Sequence, residues 1–218
     1  MLRSKKQLFL DTITFPLRAI SIFEENKWGL SSLRTERYDY CSRETRGYTL
    51  DVGCGRDNWF IKNHLSGNGK GIDVYKYEGL TEENIVEDIR HFPFDDKMFD
   101  TVTFIANLNH VPSSLRDIEL AEAYRVLKPG GNILVTMANP LALIMVHKVV
   151  AWYDAIFKSH YDVDHIRGMD DEEAYYIRDE EIRERLTRAG FNNLQKHRFG
   201  TQWGLNWVTI GWKSKQIL

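Results

Sequence analysis

Cysteine is nearly missing from the chain: 218 residues hold two, Cys41 and Cys54. They form none of the CxxC pairs of a structural zinc site, and so sparse a use gives no sign of an oxidised, secreted protein. No cluster of His, Asp and Glu has ligand spacing, so no metal is expected. An excess of one charge is missing as well. Lys and Arg total 29 against 31 Asp and Glu, a net charge of −2, which leaves no overall electrostatic footprint for nucleic acid. Long apolar runs are missing too. The longest, Pro140 to Val150, is broken by His147 and Lys148, and a bilayer span needs about 20 apolar residues. The start of the chain lacks a clean apolar run before a small-residue cleavage site, so no signal peptide is read and a cytoplasmic location is the expectation. No internal repeat and no low-complexity segment is visible. Hydrophobic residues make up 43%, enough for a globular core, and the length suits one domain with a short extension.

The order of elements then narrows the fold. Residues 1–47 are mixed and aromatic. Leu8-Phe9-Leu10 and Ile20-Ser21-Ile22-Phe23 suggest short amphipathic helices, with Pro16 breaking or starting one. Tyr48 to Val52 reads as a strand running into Gly53-Cys54-Gly55. A helix is expected next, capped by Asp57 or Asn58, with Trp59, Phe60 and Leu65 on its inner face. Gly69 to Val74, Asn84 to Glu87, Thr101 to Ile105 and Asn132 to Met137 read as further strands. A helix from Ser113 to Leu127 would turn Leu115, Ile118, Ala121, Ala123, Tyr124 and Leu127 inward. Lys128-Pro129-Gly130-Gly131 is a strong terminator for it. Another helix spans Arg178 to Ala189, acidic at its start, basic at its end and stopped by Gly190. Leu194 to Phe199 and Trp207 to Trp212 would be the last two strands. Strands alternating with helices argue for a mostly parallel sheet with helices on both faces.

One constellation carries chemistry. The first strand opens into Asp51-Val52-Gly53-Cys54-Gly55, where missing Cβ atoms let a ligand approach the backbone, and where the next helix would aim its free N–H groups. Asp73 closes the next strand, roughly 20 residues on, the place from which an acid typically grips a ribose diol. A nicotinamide dehydrogenase is the first alternative. Its G-x-G-x-x-G fingerprint has its third glycine where this chain has Asn58, and Asp57 would set negative charge against a pyrophosphate.

The string Leu50-Asp51-Val52-Gly53-Cys54-Gly55 resembles motif I of class I S-adenosylmethionine-dependent methyltransferases of the small-molecule, methyltransferase type 11 kind. Four further stretches are similar to that family and stand in its order: Gly71-Ile72-Asp73; Glu87-Asp88-Ile89 with Phe92-Pro93-Phe94 and Phe99-Asp100; Leu108-Asn109-His110-Val111; and Arg125 to Gly131. The resemblance covers about residues 48–137 and, more loosely, continues to 199. It implies a Rossmann-like fold with a seven-stranded, mostly parallel sheet whose last hairpin strand is antiparallel. It also implies S-adenosyl-L-methionine as cofactor and a methyl group transferred to a small-molecule acceptor by in-line displacement. Residues 1–47 would be an N-terminal helical extension or lid. Residues 48–218 would be the methyltransferase domain, with a substrate-covering insertion at about 140–177.

The resemblance carries roles onto matching positions. Gly53 and Gly55 would lie against the methionine part, with Cys54 and Asp57 in the same loop and Val74 following the acid. Asp73 would hold the ribose hydroxyls. Asp88 would accept from the adenine amine, and the Ile89 N–H would meet the ring. Ile105 and Asn107 would line the methionine end. Asp57 stands where the family usually has a third glycine. Several positions keep two readings. Asp51 either touches cofactor or shapes the turn. His110 either takes a substrate proton or packs beside the cofactor. Cys54 is a small filler. Trp28, Arg34, Arg37 and Tyr38 either form a lid, with an arginine near the cofactor carboxylate, or pack on the sheet edge. His147, Trp152, Tyr153, His160, Tyr161, His165, Arg167, Tyr175 and Tyr176 form either a pocket that excludes water or a packed cap. Asp170 to Glu173 reads as a solvated helix start. The apolar stretch Leu141 to Phe157, with Arg3, Lys5 and Lys6, suits peripheral contact with a membrane surface. A non-catalytic member that binds cofactor or a partner is the competing class.

Overall fold

Strand β1, Thr49–Val52, is buried at every position, as a central strand covered on both faces must be. The computed structural model describes residues 3–15, 17–18, 27–158 and 176–215. Around β1 lie β2 (Gly69–Ile72), β3 (Phe99–Ile105), β4 (Leu127–Ala138), β5 (Asn192–Arg198) and β6 (Asn206–Trp212). They form one sheet in the order β2-β1-β3-β4-β6-β5. β2, β1, β3 and β4 run parallel, whereas β6 is antiparallel to both β4 and β5. Strand order reverses between β1 and β3, and in open α/β sheets the crevice beyond the carboxyl ends at that point is where ligands bind.

The seven expected strands become six among the described residues. Asn84 to Glu87 contributes a single parallel bridge, Asp73 to Ile85. Two hydrogen bonds, Asp73 N–H to Asn84 O and Val86 N–H to Asp73 O, hold it. The Asn84 side chain caps the preceding turn at Thr81 and donates to Gly71 O, so this segment is fixed by turn chemistry rather than by a ladder.

Alternation along β3 and β4 divides the core. Val102, Phe104, Ile133 and Val135 face one layer with Leu120, Ala123, Ile182 and Leu186. Those four belong to α3 (Arg116–Val126) and α5 (Asp179–Arg188). Ile105, Leu134, Val208 and Ile210 face the other layer with Phe60, Ile61 and Cys41. Cys41 lies on α2, Leu33–Glu44, which Ser32 caps by accepting from Thr35 N–H. Ser4 caps α1, Lys5–Ile13, in the same way.

The helix expected after the glycines forms only as a short π-helix, not as an α-helix capped by Asp57 or Asn58. A 3-10 turn, Arg56–Asn58, is followed by a π turn, Phe60–His64. Asp57 and Asn58 have φ of 62° and 50°, so neither can start an α-helix as its cap. Phe60 is buried as expected. Lys128 to Gly131 does stop α3, but these residues then belong to β4, where Gly130 N–H donates to Lys213 O and Lys213 N–H to Gly131 O.

Helix α3 begins later than expected, after the turn at Pro112. Its buried stripe is Arg116, Glu119, Leu120, Ala123 and Val126. Ile118 is 39% exposed instead. The stripe is thus rotated from the apolar one and takes in two charged residues. Arg116 is accounted for by Val111 O and by Glu181.

The long apolar stretch is α4, Pro140–Phe157, with Asn139 as N-cap. No helix among the described residues is long and apolar enough to cross a membrane. Ala142 of α4 packs with Phe15 and Leu33. Charge ties the N-terminal elements down: Glu36 is 1% exposed and meets Arg18, Arg3, Thr201 and Gln202.

Candidate cofactor site

At the carboxyl end of β1 the chain folds back on β2. Gly53 and Cys54 both donate to Ile72 O, at 2.8 and 3.1 Å. The Gly55 N–H donates to Asp73 Oδ2 at 2.9 Å, and the Tyr75 N–H donates to Asp73 Oδ1 at 3.0 Å. Asp73 therefore organises the glycine bend from the neighbouring strand. Gly53 sits at φ 73°, and a Cβ there would lie 2.1 Å from Asn107 Cγ. A Cβ on Gly55 would meet nothing within 4 Å, so that face of the bend is open.

Beside the bend is a small cavity, about 70 Å³ in its enclosed part and open to solvent. Gly53, Asp73, Val74, Ile89, Asn107 and His110 line it, all foreseen from the sequence. Val86, Phe92, Val111, Pro112 and Glu119 also line it, with Val52 and Ile72 at the strand ends, and were not foreseen as site residues. Phe92 stood inside a matched motif without a role of its own. Glu119 lay on a helix whose apolar pattern pointed to a different inner face.

The other expected site residues lie elsewhere. Asp51 is 2% exposed beneath the bend and accepts from the Thr103 hydroxyl at 2.6 Å. Cys54 is buried against Asn58 and Gly71, as a filler. Asp57 leans on Gly79, with its N–H on Glu78 O. The Asp88 carboxylate is 63% exposed and accepts from the Arg90 N–H, next to the lining residue Ile89. Ile105 is buried in the α2 layer of the core and does not line the cavity. The region expected to cover substrate is described only in part. Trp152 and Tyr153 lie on α4, and Tyr176 packs on the main core. The side chain of His147 and residues His160, Tyr161, His165, Arg167, Asp170 to Glu173 and Tyr175 lie outside the described residues, as do Pro16 and Ile20 to Phe23. Trp28 is 64% exposed. Arg34 stands over the Trp59 ring, at 5.8 Å, just past the bend. Its buried Nε has no hydrogen-bond partner among the described residues.

Burial pushes the Asp51 carboxyl up to about 7; the charge of Asp73 adds to this and the Thr103 hydroxyl opposes it. A carboxyl raised on folding gives stability that is complete below its unfolded pKa and is lost as pH rises through the folded one. Between about pH 4 and pH 8 the thermal midpoint should therefore fall with rising pH. Asp51→Asn should flatten that slope, because its amide oxygen still accepts from Thr103 but never ionises. A melting series in both proteins checks this, and an unchanged slope would move the effect to another group.

Asp57 supplies a second check. At φ 62° a residue other than Gly costs about 1 kcal/mol, Asp and Asn being tolerated best. Asp57→Gly should be neutral or stabilising by up to about 1 kcal/mol. Asp57→Val should cost about 1–2 kcal/mol. Urea melts that ranked Val above Gly would show that the loop takes another path.

A parallel sheet ending in an antiparallel hairpin, a glycine bend on the first strand and an acid clasping it from the next define a class I methyltransferase-type α/β domain. The comparisons agree. The chain belongs to the methyltransferase domain family, whose model matches residues 29–196. It is 30% identical over 152 residues to a demethylmenaquinone methyltransferase of Staphylococcus epidermidis, over 63% of this chain and 60% of that one. The chain thus spans about 60% of the length of the curated relatives it first matches. Two solved structures share the fold. A SAM-dependent methyltransferase from Archaeoglobus fulgidus has TM-score 0.58 at 16% identity, covering 84% of this chain and 95% of that one. The 1,6-didemethyltoxoflavin-N1-methyltransferase of Burkholderia thailandensis, solved with S-adenosylhomocysteine, has TM-score 0.57 at 13% identity, covering 99% and 92%.

Proposed function

We propose that this chain is an S-adenosyl-L-methionine-dependent methyltransferase acting on a small molecule. The observation that carries the reading is the cavity between the glycine bend and Asp73, open above Gly55 and walled by Val74, Val86, Ile89 and Phe92. Its chemistry fits the cofactor. The carboxylate would hold a diol, the apolar side chains would take a planar base, and the half-buried glycine backbone would run along the aminoacyl part. Bound there, the cofactor would supply a sulfonium-activated methyl group, passed in line to a nucleophile as the S–CH3 bond breaks and S-adenosylhomocysteine leaves.

The chain's own work is binding and alignment. Asp73 accepts from the ribose hydroxyls and fixes the bend through the Gly55 N–H. Gly53, Gly55 and Asn107 border the methionine end. Val74 and Ile89 enclose the base, with Asp88 at its outer edge. Arg34, beside Trp59, faces the aminoacyl carboxylate from α2, and residues 1–47 act as a lid. Cys54, Asp57 and Ile105 support the loop from behind rather than touching cofactor. Asp51 shapes the turn. His110 lies on the wall and takes the acceptor's proton. The segment at about 140–177 covers substrate.

The exposed side chains of Leu141, Ile144, Trp152, Ile156 and Phe157 on α4, with Phe9, Ile13 and Leu17 near the N-terminus, support contact with an apolar surface, such as a membrane, or with an apolar acceptor. The relative named for demethylmenaquinone is in keeping with this.

Calorimetry with S-adenosylmethionine and with NAD tests the reading. Micromolar or tighter binding of the first alone is expected, and NAD binding without it would replace this function by a dehydrogenase. Formation of S-adenosylhomocysteine with candidate acceptors, methyl-labelled, separates turnover from binding alone.

A further inference from the structure

Glu119 is 2% exposed, yet it lines the cavity and pairs with no cation among the described residues. Its Oε2 has no hydrogen-bond partner among the described residues. An orphaned carboxyl oxygen at so buried a position costs stability unless a ligand completes it. Its place on α3 shows what it faces. Glu122, one turn along and on the same side, accepts from the Phe92 N–H at 2.8 Å. Helix α3 therefore packs on the segment that supplies Val86, Ile89 and Phe92 to the cavity wall. That is the apolar part of the site.

We infer that Glu119 is a ligand-contacting residue that hydrogen-bonds the adenine base. This rests on the reading of the cavity as the cofactor site. Burial, helped by the charge of Asp73, pushes Glu119 up to about 8, so the carboxyl is neutral over most of the physiological range. A neutral carboxyl presents an O–H donor and a C=O acceptor side by side. The base presents the matching pair along the edges where its exocyclic amine neighbours ring nitrogen N1 or N7. The ring nitrogen accepts from the O–H, and one amine hydrogen goes to the C=O. The second amine hydrogen is left for Asp88. No group is transferred, and both carboxyl oxygens are satisfied.

Three measurements on this chain test it. Calorimetry with S-adenosylhomocysteine should show Glu119→Leu binding about 10- to 100-fold more weakly than wild type. Glu119→Gln, which keeps a donor and an acceptor, should stay within about 5-fold. Melting without ligand should move the opposite way. Glu119→Leu removes an unpaired buried carboxyl and should melt at the wild-type temperature or above. A merely structural glutamate would lose stability instead. Competition with adenosine, 1-deaza-adenosine and 7-deaza-adenosine then locates the contact. One of the two deaza compounds should bind wild type about 10-fold more weakly than adenosine, and that difference should vanish in Glu119→Leu. Glu119→Leu with wild-type affinity, or with the deaza discrimination intact, overturns the proposal. If Asp73→Ala still abolishes binding in that case, the cofactor site stands and only the role of Glu119 falls. If Asp73→Ala also binds normally, the site itself is misplaced.

Discussion

Asp73→Ala should bind S-adenosylhomocysteine about 100- to 10,000-fold more weakly than wild type. Two hydrogen bonds from ribose hydroxyls to a carboxylate are each worth about 1.5–3 kcal/mol, and each 1.4 kcal/mol is about tenfold in affinity. The loss extends beyond the sugar. Asp73 Oδ2 also holds the Gly55 N–H at 2.9 Å, so the bend that faces the aminoacyl part is released by the same change. Asp73→Asn should fall between the two proteins. It keeps one acceptor oxygen, but its amide turns a donor toward a donor. Calorimetry reads the affinities, and circular dichroism confirms that the sheet persists. An Asp73→Ala protein that binds within fivefold of wild type would mean that the sugar is not clasped at β2.

Gly53→Ala should cost about 2–5 kcal/mol of stability and remove measurable cofactor binding. Two penalties add. At φ 73° an L-residue pays about 1–2 kcal/mol. The new methyl carbon would stand 2.1 Å from Asn107 Cγ, an overlap that only movement of a cavity-lining residue can relieve, at about 1–3 kcal/mol. The two are separable. Asn107→Ala should recover part of the stability in the double variant, because the overlap disappears while the backbone cost remains. Denaturant melts of the two single variants and the double variant close the cycle. Strict additivity would show that the two residues do not meet.

The sequence made the fold legible wherever local and long-range preferences agree. β1 with its glycine bend, the acid closing β2, α3 with its stop before β4 and the final hairpin all appear within a few residues of their expected places. It misled where a single turn decides. Asn84 to Glu87 reads as a strand, but the Asn84 side chain spends its hydrogen bonds on Thr81 and Gly71 O, leaving one bridge. The helix after Gly55 was expected from its apolar spacing, yet consecutive left-handed residues at Asp57 and Asn58 delay it, and it forms only as the π-helix Phe60–His64. The same division holds at the site. Gly53, Asp73, Val74, Ile89, Asn107 and His110 gather around one cavity because strand ends and the loops beside them put them there. Ile105 was carried into the site by its position after the core of β3, but pleating turns it to the opposite layer. Glu119 was invisible because an apolar reading of α3 assigns charged residues to solvent, and only packing shows the stripe to be rotated.

The knot around Glu36 bears on how ligands enter. Arg18 and Arg3 reach that carboxylate from the start of the chain, and Thr201 and Gln202 reach it from the β5–β6 connection. Pulling the guanidinium groups away would strand an anion in the interior, at roughly 3–5 kcal/mol. Helices α1 and α2 are therefore riveted to the hairpin at the far edge of the sheet. A lid built from these helices would have to swing about that fixed point.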